Sequence, residues 1–124
     1  ERAALFANRA ACHLSLSDHG AAHDDCEEGL DALLSGPPFH ADASSAREVA
    51  THPDRRERGG EGARAALAKL VHRRAAAAAH LRRFEDAALD YEAAASLATD
   101  AASREALERD AETVRAAGRG ELSV

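Results

Sequence analysis

Residues 5–30 read LFANRAACHLSLSDHGAAHDDCEEGL, and residues 70–95 read LVHRRAAAAAHLRRFEDAALDYEAAA. A shift of 65 positions places Arg9-Ala10-Ala11 on Arg74-Ala75-Ala76. The same shift gives further identical pairs: Leu16 with Leu81, Ala22 with Ala87, Asp25 with Asp90 and Glu27 with Glu92. Near-duplication of this length is typical of repeat proteins, in which similar helical units stack side by side. Because such proteins bind other molecules far more often than they catalyse reactions, the repeat favours a binding function.

The composition favours an all-helical chain with a thin core. The 124 residues are enough for one small domain. Hydrophobic residues make up 45% of them, but alanine supplies much of that share and aromatic residues only 3%. Alanine buries little area, so the helices must approach one another closely. Alanine, Leu, Glu and Arg are also strong helix formers, and we therefore expect an all-α fold.

Charge and cysteine content narrow the classes of function. The net charge of −6 argues against nucleic acid or an anionic membrane as the partner, and no apolar run approaches the roughly 20 residues of a membrane span. Cys12 and Cys26 fall inside helical patterns rather than in a disulfide framework, which favours a reducing compartment such as the cytosol. Because the sequence starts at Glu1 without a methionine, we expect it to be part of a longer protein.

Turn signals divide the chain into five segments. Ser17-Asp18 and Arg82-Arg83 mark turns inside the two repeats, and Thr99-Asp100 is typical of the N-cap of a last helix. The expected segments are a helical hairpin at 1–34, an inserted loop at 35–61, a second hairpin at 62–98, a capping helix at 99–117 and a tail at 118–124. Gly118 and Gly120 are expected to stop the capping helix.

The inserted loop is expected to be largely disordered. It begins at Ser35-Gly36-Pro37-Pro38, where two prolines end the preceding helix. Gly, Pro, Ser, Asp and Arg dominate it, and Phe39 and Val49 are almost its only large apolar residues. A short helical turn at residues 43–50 is the alternative.

The two hairpins resemble tetratricopeptide repeats (TPRs), in which alanines let paired helices approach closely and one large residue fills the groove. Small residues stand at both expected crossings and larger ones at the packing positions: Ala10 with Ala22, Ala75 with Ala87, Phe6 and Val71 on the first helices, Cys26 and Tyr91 on the second. The chain departs from the consensus at Gly29, in lacking a proline after Leu97, and in its long loop. A generic alanine-rich bundle is the alternative, but the fixed register favours TPR-type hairpins in a superhelix.

A narrower resemblance covers nearly everything outside residues 39–61. The C-terminal TPR region of the dyslexia-susceptibility-candidate family of axonemal dynein assembly factors is similar to the strings LFANRAACHLSL, KLVHRRA, ALDYEAA and DAETVRAAGRGEL. The resemblance implies that a CS domain and a first repeat precede this chain. It also implies a chaperone-linked adaptor in cytoplasmic pre-assembly of dynein arms, with Hsp90 or Hsp70 as partners and dynein chains or dynein assembly factors as clients. Besides the cytoplasm, the resemblance implies the cilium and the nucleus as further locations of the protein.

Asn8, Lys69 and Arg73 are the candidate peptide-binding residues. Lys69 and Arg73 are spaced i, i+4, so they share a helix face, and Asn8 aligns with Arg73 in the repeat register. They resemble part of the carboxylate clamp with which chaperone-binding TPRs hold the C-terminal Glu-Glu-Val-Asp of Hsp90 or Hsp70. The resemblance implies that the preceding repeat supplies the rest, so this chain alone should bind weakly. The alternative is an ordinary solvated helix face.

No catalytic or metal-binding pattern stands out. Cys12, His13 and His23 lack the spacing of a zinc site, Cys26 is expected in the core, and no phosphate-binding loop or nucleophile motif occurs. Asp25, with Glu28, is assigned to an exposed acidic helix. We therefore expect no enzyme activity, no metal and no cofactor.

Two other functions stay open, and a third is disfavoured. The first is a general Hsp90 or Hsp70 co-chaperone unrelated to cilia, and the second is the regulatory TPR arm of an enzyme. Nucleic-acid binding through residues 64–83, which contain six Lys or Arg and no acidic residue, is disfavoured because no aromatic residue interleaves them. The same basic stretch should steer acidic peptides toward a groove.

Overall fold

The computed structural model describes residues 2–121, of which 81% are helical, with no strand among them. The helices are α1 Arg2–Ser15, α2 His19–Leu34, α3 Ala46–Thr51, α4 Pro53–Glu57, α5 Gly60–His80, α6 Phe84–Leu97 and α7 Ala101–Gly118. Helices α1 and α2 pair as one hairpin, α5 and α6 pair as a second, and α7 packs against α6. The expected all-α fold is confirmed. The end of the expected tail, residues 122–124, lies outside the described part of the chain.

Both hairpins turn in the same way at equivalent residues. Ser17 and Arg82, which are 65 positions apart, adopt left-handed φ angles of 60° and 63°. The backbone N–H of the next residue donates to a carbonyl oxygen of the preceding helix. The N···O distance is 2.8 Å for Asp18 and 2.9 Å for Arg83. The side chain of Asp18 also accepts from the N–H of Ala21 and caps α2. The sequence repeat is therefore a repeat of backbone geometry.

Small residues set the distance between neighbouring helices. The alanines expected at the crossings are fully buried: Ala10, Ala22, Ala75 and Ala87. Gly29 brings α2 still closer to its two neighbours. A Cβ at this position would lie 2.8 Å from Leu70 Cδ2 on α5 and 3.1 Å from Phe6 Cβ on α1. The departure from the alanine consensus at Gly29 thus has a packing cause.

The inserted segment is not the largely disordered loop that we expected. A 3-10 turn at Ala43–Ser45 leads into α3 and α4, and the side chains of Phe39 and Val49 are buried. Helix α3 lies against α5 and α6. The alternative of a short helical turn at residues 43–50 matches the structure, because alanine supplies the apolar contacts of this segment. Ala46 and Ala50 flank Val49 at helical spacing, and this small apolar face is enough to bury α3.

Helix α7 caps the second hairpin and ends slightly later than expected. It continues through Gly118, and Gly120, with φ of 79°, stops it. The N–H of Glu121 donates to the carbonyl of Ala116 at 2.9 Å, and that of Gly120 donates to Ala117 at 3.1 Å. This pair of bonds is a Schellman motif, which needs a left-handed residue at the position of Gly120.

Candidate functional site

A groove opens between α5, α6 and α7. Helices α5 and α7 each pack against α6, and small α5 side chains such as Ala65 and Ala68 leave space between them. The groove encloses about 450 Å³. Ala94 and Leu97 are buried at its base, with Leu107 beside them. Its polar lining consists of Glu61, Arg64, Lys69, His72, Thr99, Asp100 and Ser103. Such a depression suits a short segment with one aliphatic side chain and charged ends.

Lys69 is the cation that this groove leaves available. Its side chain is exposed, and none of the ion pairs formed among residues 2–121 includes it. Arg64, on the same rim, is instead held by the carboxylate of Glu57 and the carbonyl of Leu97. Lys69 is also the only lysine in the sequence. Its ammonium group therefore offers both a free positive charge and a unique chemical handle.

Arg73 and Asn8 do not line this groove. Arg73 Nη1 donates to the backbone carbonyl of Ala7 at 2.6 Å, so its guanidinium bridges α5 to α1. Asn8 is the next residue on α1, and its side chain is exposed. Lys69 thus lines the α5–α7 groove, whereas Arg73 and Asn8 belong to the α1–α5 junction.

His72 lies on the groove rim. Its ring packs edge-on against Tyr91, with centroids 5.8 Å apart and an interplanar angle of 62°. Burial of that edge lowers the pKa of His72 below its usual range, and the carboxylate of Asp110 opposes the shift. Burial likewise raises the pKa of the Tyr91 phenol. Because the lowered pKa disfavours the protonated form of His72, Lys69 is the main source of positive charge on this part of the rim.

A buried ion network joins the two hairpins behind the groove. Arg74 on α5 binds Asp90 on α6 through two hydrogen bonds, Nε to Oδ2 at 2.8 Å and Nη2 to Oδ1 at 2.9 Å. Its Nη1 donates to Glu27 Oε2 on α2 at 2.7 Å. Arg47 on α3 donates from Nε to Asp90 Oδ1 at 2.8 Å. One arginine therefore ties α2, α5 and α6 together, and the inserted segment completes the network.

The first hairpin holds the equivalent pair in an open form. Arg9 Nη2 lies 3.3 Å from Asp25 Oδ1, and the two side chains are 54% and 7% exposed. Asp25 Oδ2 is buried and accepts no hydrogen bond within the described residues, although His13 Nε2 lies 3.5 Å from it. The expectation that Asp25 belongs to an exposed acidic surface is wrong. Packing of α1 on α2 and the contact with Arg9 bury its carboxylate.

Sequence reasoning missed this network, although the signal was present. The 65-residue shift aligns an arginine with an arginine and an aspartate with an aspartate, on helices that pair in each hairpin. Opposite charges recurring at both packing faces predict ion pairs, because a buried charge needs a partner. Cys26, the residue after Asp25, is fully buried, as expected.

Among residues 2–121, every helix is too short or too polar to cross a membrane. The chain matches no known protein family, no curated protein and no solved structure.

Proposed function

We propose that this chain is a non-catalytic protein–protein interaction module whose α5–α7 groove binds an acidic C-terminal peptide. The observation that carries the proposal is Lys69, an exposed cation without an ion-pair partner among the described residues, beside an apolar base. The terminal carboxylate of a peptide would pair with its ammonium group. An aliphatic side chain next to that carboxylate would fit against Leu97 and Leu107.

Asn8 and Arg73 are proposed to extend the site toward α1. A guanidinium group has five N–H donors, so the bond to the Ala7 carbonyl leaves others for a second peptide carboxylate. The exposed amide of Asn8 would bind beside it. The other basic residues of the 64–83 stretch attract an acidic peptide less strongly than the sequence suggests. Arg64 and Arg74 already bind carboxylates of the chain itself.

The sequence resemblance supports a narrower form of the same proposal. Two hairpins with matching turns, close alanine crossings and a capping helix are what a TPR superhelix would contain. The peptide would then be the Glu-Glu-Val-Asp end of Hsp90 or Hsp70. The chain would act as a cytoplasmic adaptor in dynein-arm pre-assembly, with dynein chains or dynein assembly factors as clients.

Calorimetry with a peptide ending in Glu-Glu-Val-Asp tests the proposal. We expect weak, salt-sensitive binding that weakens further when the peptide's C-terminus is amidated. Lys69→Ala should reduce the affinity about fivefold, equivalent to about 1 kcal/mol for a charge pair at a solvated rim. Arg109→Ala is the matched control, because Arg109 is exposed on α7 and does not line the groove.

The single lysine allows an independent measurement. Acetylation of Lys69 by an N-hydroxysuccinimide ester, followed by mass spectrometry, should slow when the peptide is bound. If neither Lys69→Ala nor the amidated peptide changes the affinity, Lys69 does not hold a carboxylate and the proposed site is wrong. Loss of affinity on Arg109→Ala alone would move the binding surface to the outer side of α7.

A further inference from the structure

A polar pocket opens where the inserted segment meets the two hairpins. It encloses about 380 Å³, and the inserted segment, α2, α5 and the start of α6 all contribute to its lining. Three arginines from three different elements converge there, so we call it the arginine pocket. The residues that give it its chemistry are Arg47, Arg74 and Arg83, together with Glu27, Ser44 and Asp86.

The arginine pocket holds guanidinium donors that the chain itself does not use. Arg83 is exposed and forms neither an ion pair nor a side-chain hydrogen bond among residues 2–121. Arg47 is only partly engaged. Its Nε donates to Asp90 and its Nη2 to the carbonyl of Asp86, whereas its Nη1 meets no acceptor within the same range. Two elements therefore offer N–H donors to an anion in this pocket.

Ser44 brings a hydroxyl group to the same pocket. The residue is exposed, and its Oγ donates to Asp42 Oδ1 at 2.5 Å. A phosphate on this oxygen would remove the donor, and its charge would repel the carboxylate of Asp42. The side chain would then turn away from Asp42, toward the arginines with which it lines the pocket. An exposed hydroxyl beside several guanidinium groups is the arrangement in which a phosphate gains charge-assisted hydrogen bonds.

The balance of charge in the pocket favours a phosphate that is attached to the chain. Glu27 and Asp86 line the pocket too, and Glu27 pairs with Arg74 at 2.7 Å. A dissolved phosphate ion should therefore bind weakly. A phosphate on Ser44 is held beside the pocket by the backbone, and such a short tether gives an effective concentration of about millimolar or more.

We propose that the arginine pocket is a phosphoserine-binding site and that its ligand is the phosphorylated side chain of Ser44. A kinase transfers the γ-phosphoryl group of a nucleoside triphosphate to Ser44 Oγ, which gives up its proton as the nucleoside diphosphate leaves. The phosphate accepts N–H bonds from Arg47 and Arg83. Because Arg83 is the N-cap residue of α6, the phosphate fastens the inserted segment to the second hairpin. The inference is independent of the function proposed for the α5–α7 groove.

Two measurements on the full chain test the proposal, with phosphate installed on Ser44 by genetic incorporation of phosphoserine. Phosphorus NMR gives the second pKa of the phosphate, which is ordinarily about 6. Hydrogen exchange reports the opening of α3, the helix that begins two residues after Ser44. Arg83→Gln removes the unused cation. Arg58→Gln is the matched control, because Arg58 is exposed on the inserted segment and does not line the pocket.

We expect the second pKa of the phosphate to be lower in the native chain than in Arg83→Gln, because a guanidinium group favours the dianion. Phosphorylation should slow amide exchange in α3 about fivefold, and Arg83→Gln should remove most of that protection. In the unphosphorylated chain, Arg83→Gln should leave the exchange of α3 unchanged, since Arg83 binds no other side chain there. Inorganic phosphate added to Ser44→Ala, followed by the Nε–H resonance of Arg83, should not reach saturation by about 10 mM.

Four results would overturn the proposal. An equal phosphate pKa in the native chain and in Arg83→Gln would show that Arg83 does not bind the phosphate. Equal effects of Arg58→Gln and Arg83→Gln would show only a general influence of charge. Faster exchange of α3 after phosphorylation would show that the phosphate expels the inserted segment. Saturation of Ser44→Ala by inorganic phosphate below about 1 mM would show that the pocket takes a dissolved anion without the tether.

Discussion

Arg74→Met should destabilise the chain far more than Arg9→Met, although the two arginines are equivalent in the repeat. Met keeps much of the aliphatic stem, so the comparison isolates the guanidinium. Its loss at position 74 leaves the buried carboxylate of Asp90 with Arg47 alone. Removing one partner of a buried ion pair costs about 3–5 kcal/mol. Because Arg47 still binds Asp90, we expect a cost near the lower end, about 3 kcal/mol. Loss of the half-exposed Arg9 should cost only about 1 kcal/mol or less, because His13 still lies 3.5 Å from the buried carboxylate of Asp25.

Urea unfolding followed by circular dichroism measures this difference. With an m-value of about 2 kcal/mol/M, the loss at Arg74 lowers the midpoint by about 1.5 M, and the loss at Arg9 by less than about 0.5 M. Adding Asp90→Leu to Arg74→Met should restore part of the stability, because no stranded carboxylate then remains. Equal midpoint shifts for the two Met variants at unchanged m-values would refute the reasoning.

Two further predictions concern a pair of glycines and a buried thiol. Gly20→Ala should stabilise the chain by about 0.5 kcal/mol, since its new Cβ meets nothing within 4 Å, whereas Gly29→Val should cost about 1–3 kcal/mol by colliding with Leu70 and Phe6; urea titrations that rank them in the opposite order would contradict the close packing of α2. Burial raises the pKa of Cys26 to about 12, so above pH 9 the thiol ionises only in the unfolded chain, and the free energy of unfolding should fall by about 1 kcal/mol by pH 10. The Cys26→Ala variant should lack this loss of stability at high pH. Identical pH profiles of the free energy of unfolding for the variant and the native chain would contradict the prediction.

The elements whose signals are local could be predicted from the sequence. The positions of α1, α2 and α6 follow from turn residues such as Asp18, whose side chain caps the next helix within three residues. The alanine crossings were predictable for a related reason, because the fixed 65-residue register points to the same packing position twice. Ala22 and Ala87 are accordingly both fully buried.

The features that depend on distant contacts could not be predicted in the same way. The segment around Val49 folds because α5 and α6 offer it a surface, which its own polar composition does not reveal. Lys69 and Arg73 do sit four residues apart on one helix, as predicted. Which neighbouring helix each side chain contacts depends on how the helices are arranged. Lys69 lines the groove beside α7, whereas Arg73 donates to the Ala7 carbonyl on α1.

The buried arginine–aspartate pair solves a problem that alanine creates. Residues 75–79 are five consecutive alanines, and most of them are buried on α5. Such a surface permits close approach, but its side chains are identical, so packing alone discriminates poorly between helix registers. A slip of one helical turn moves the helices by about 5.4 Å. That slip would separate Arg74 from Asp90 and break both hydrogen bonds between these two buried side chains, at a cost of several kcal/mol. We infer that alanine sets the distance between the helices of the second hairpin and that the ion pair sets their register. Arg9 and Asp25 repeat this pair in the first hairpin in a more open form.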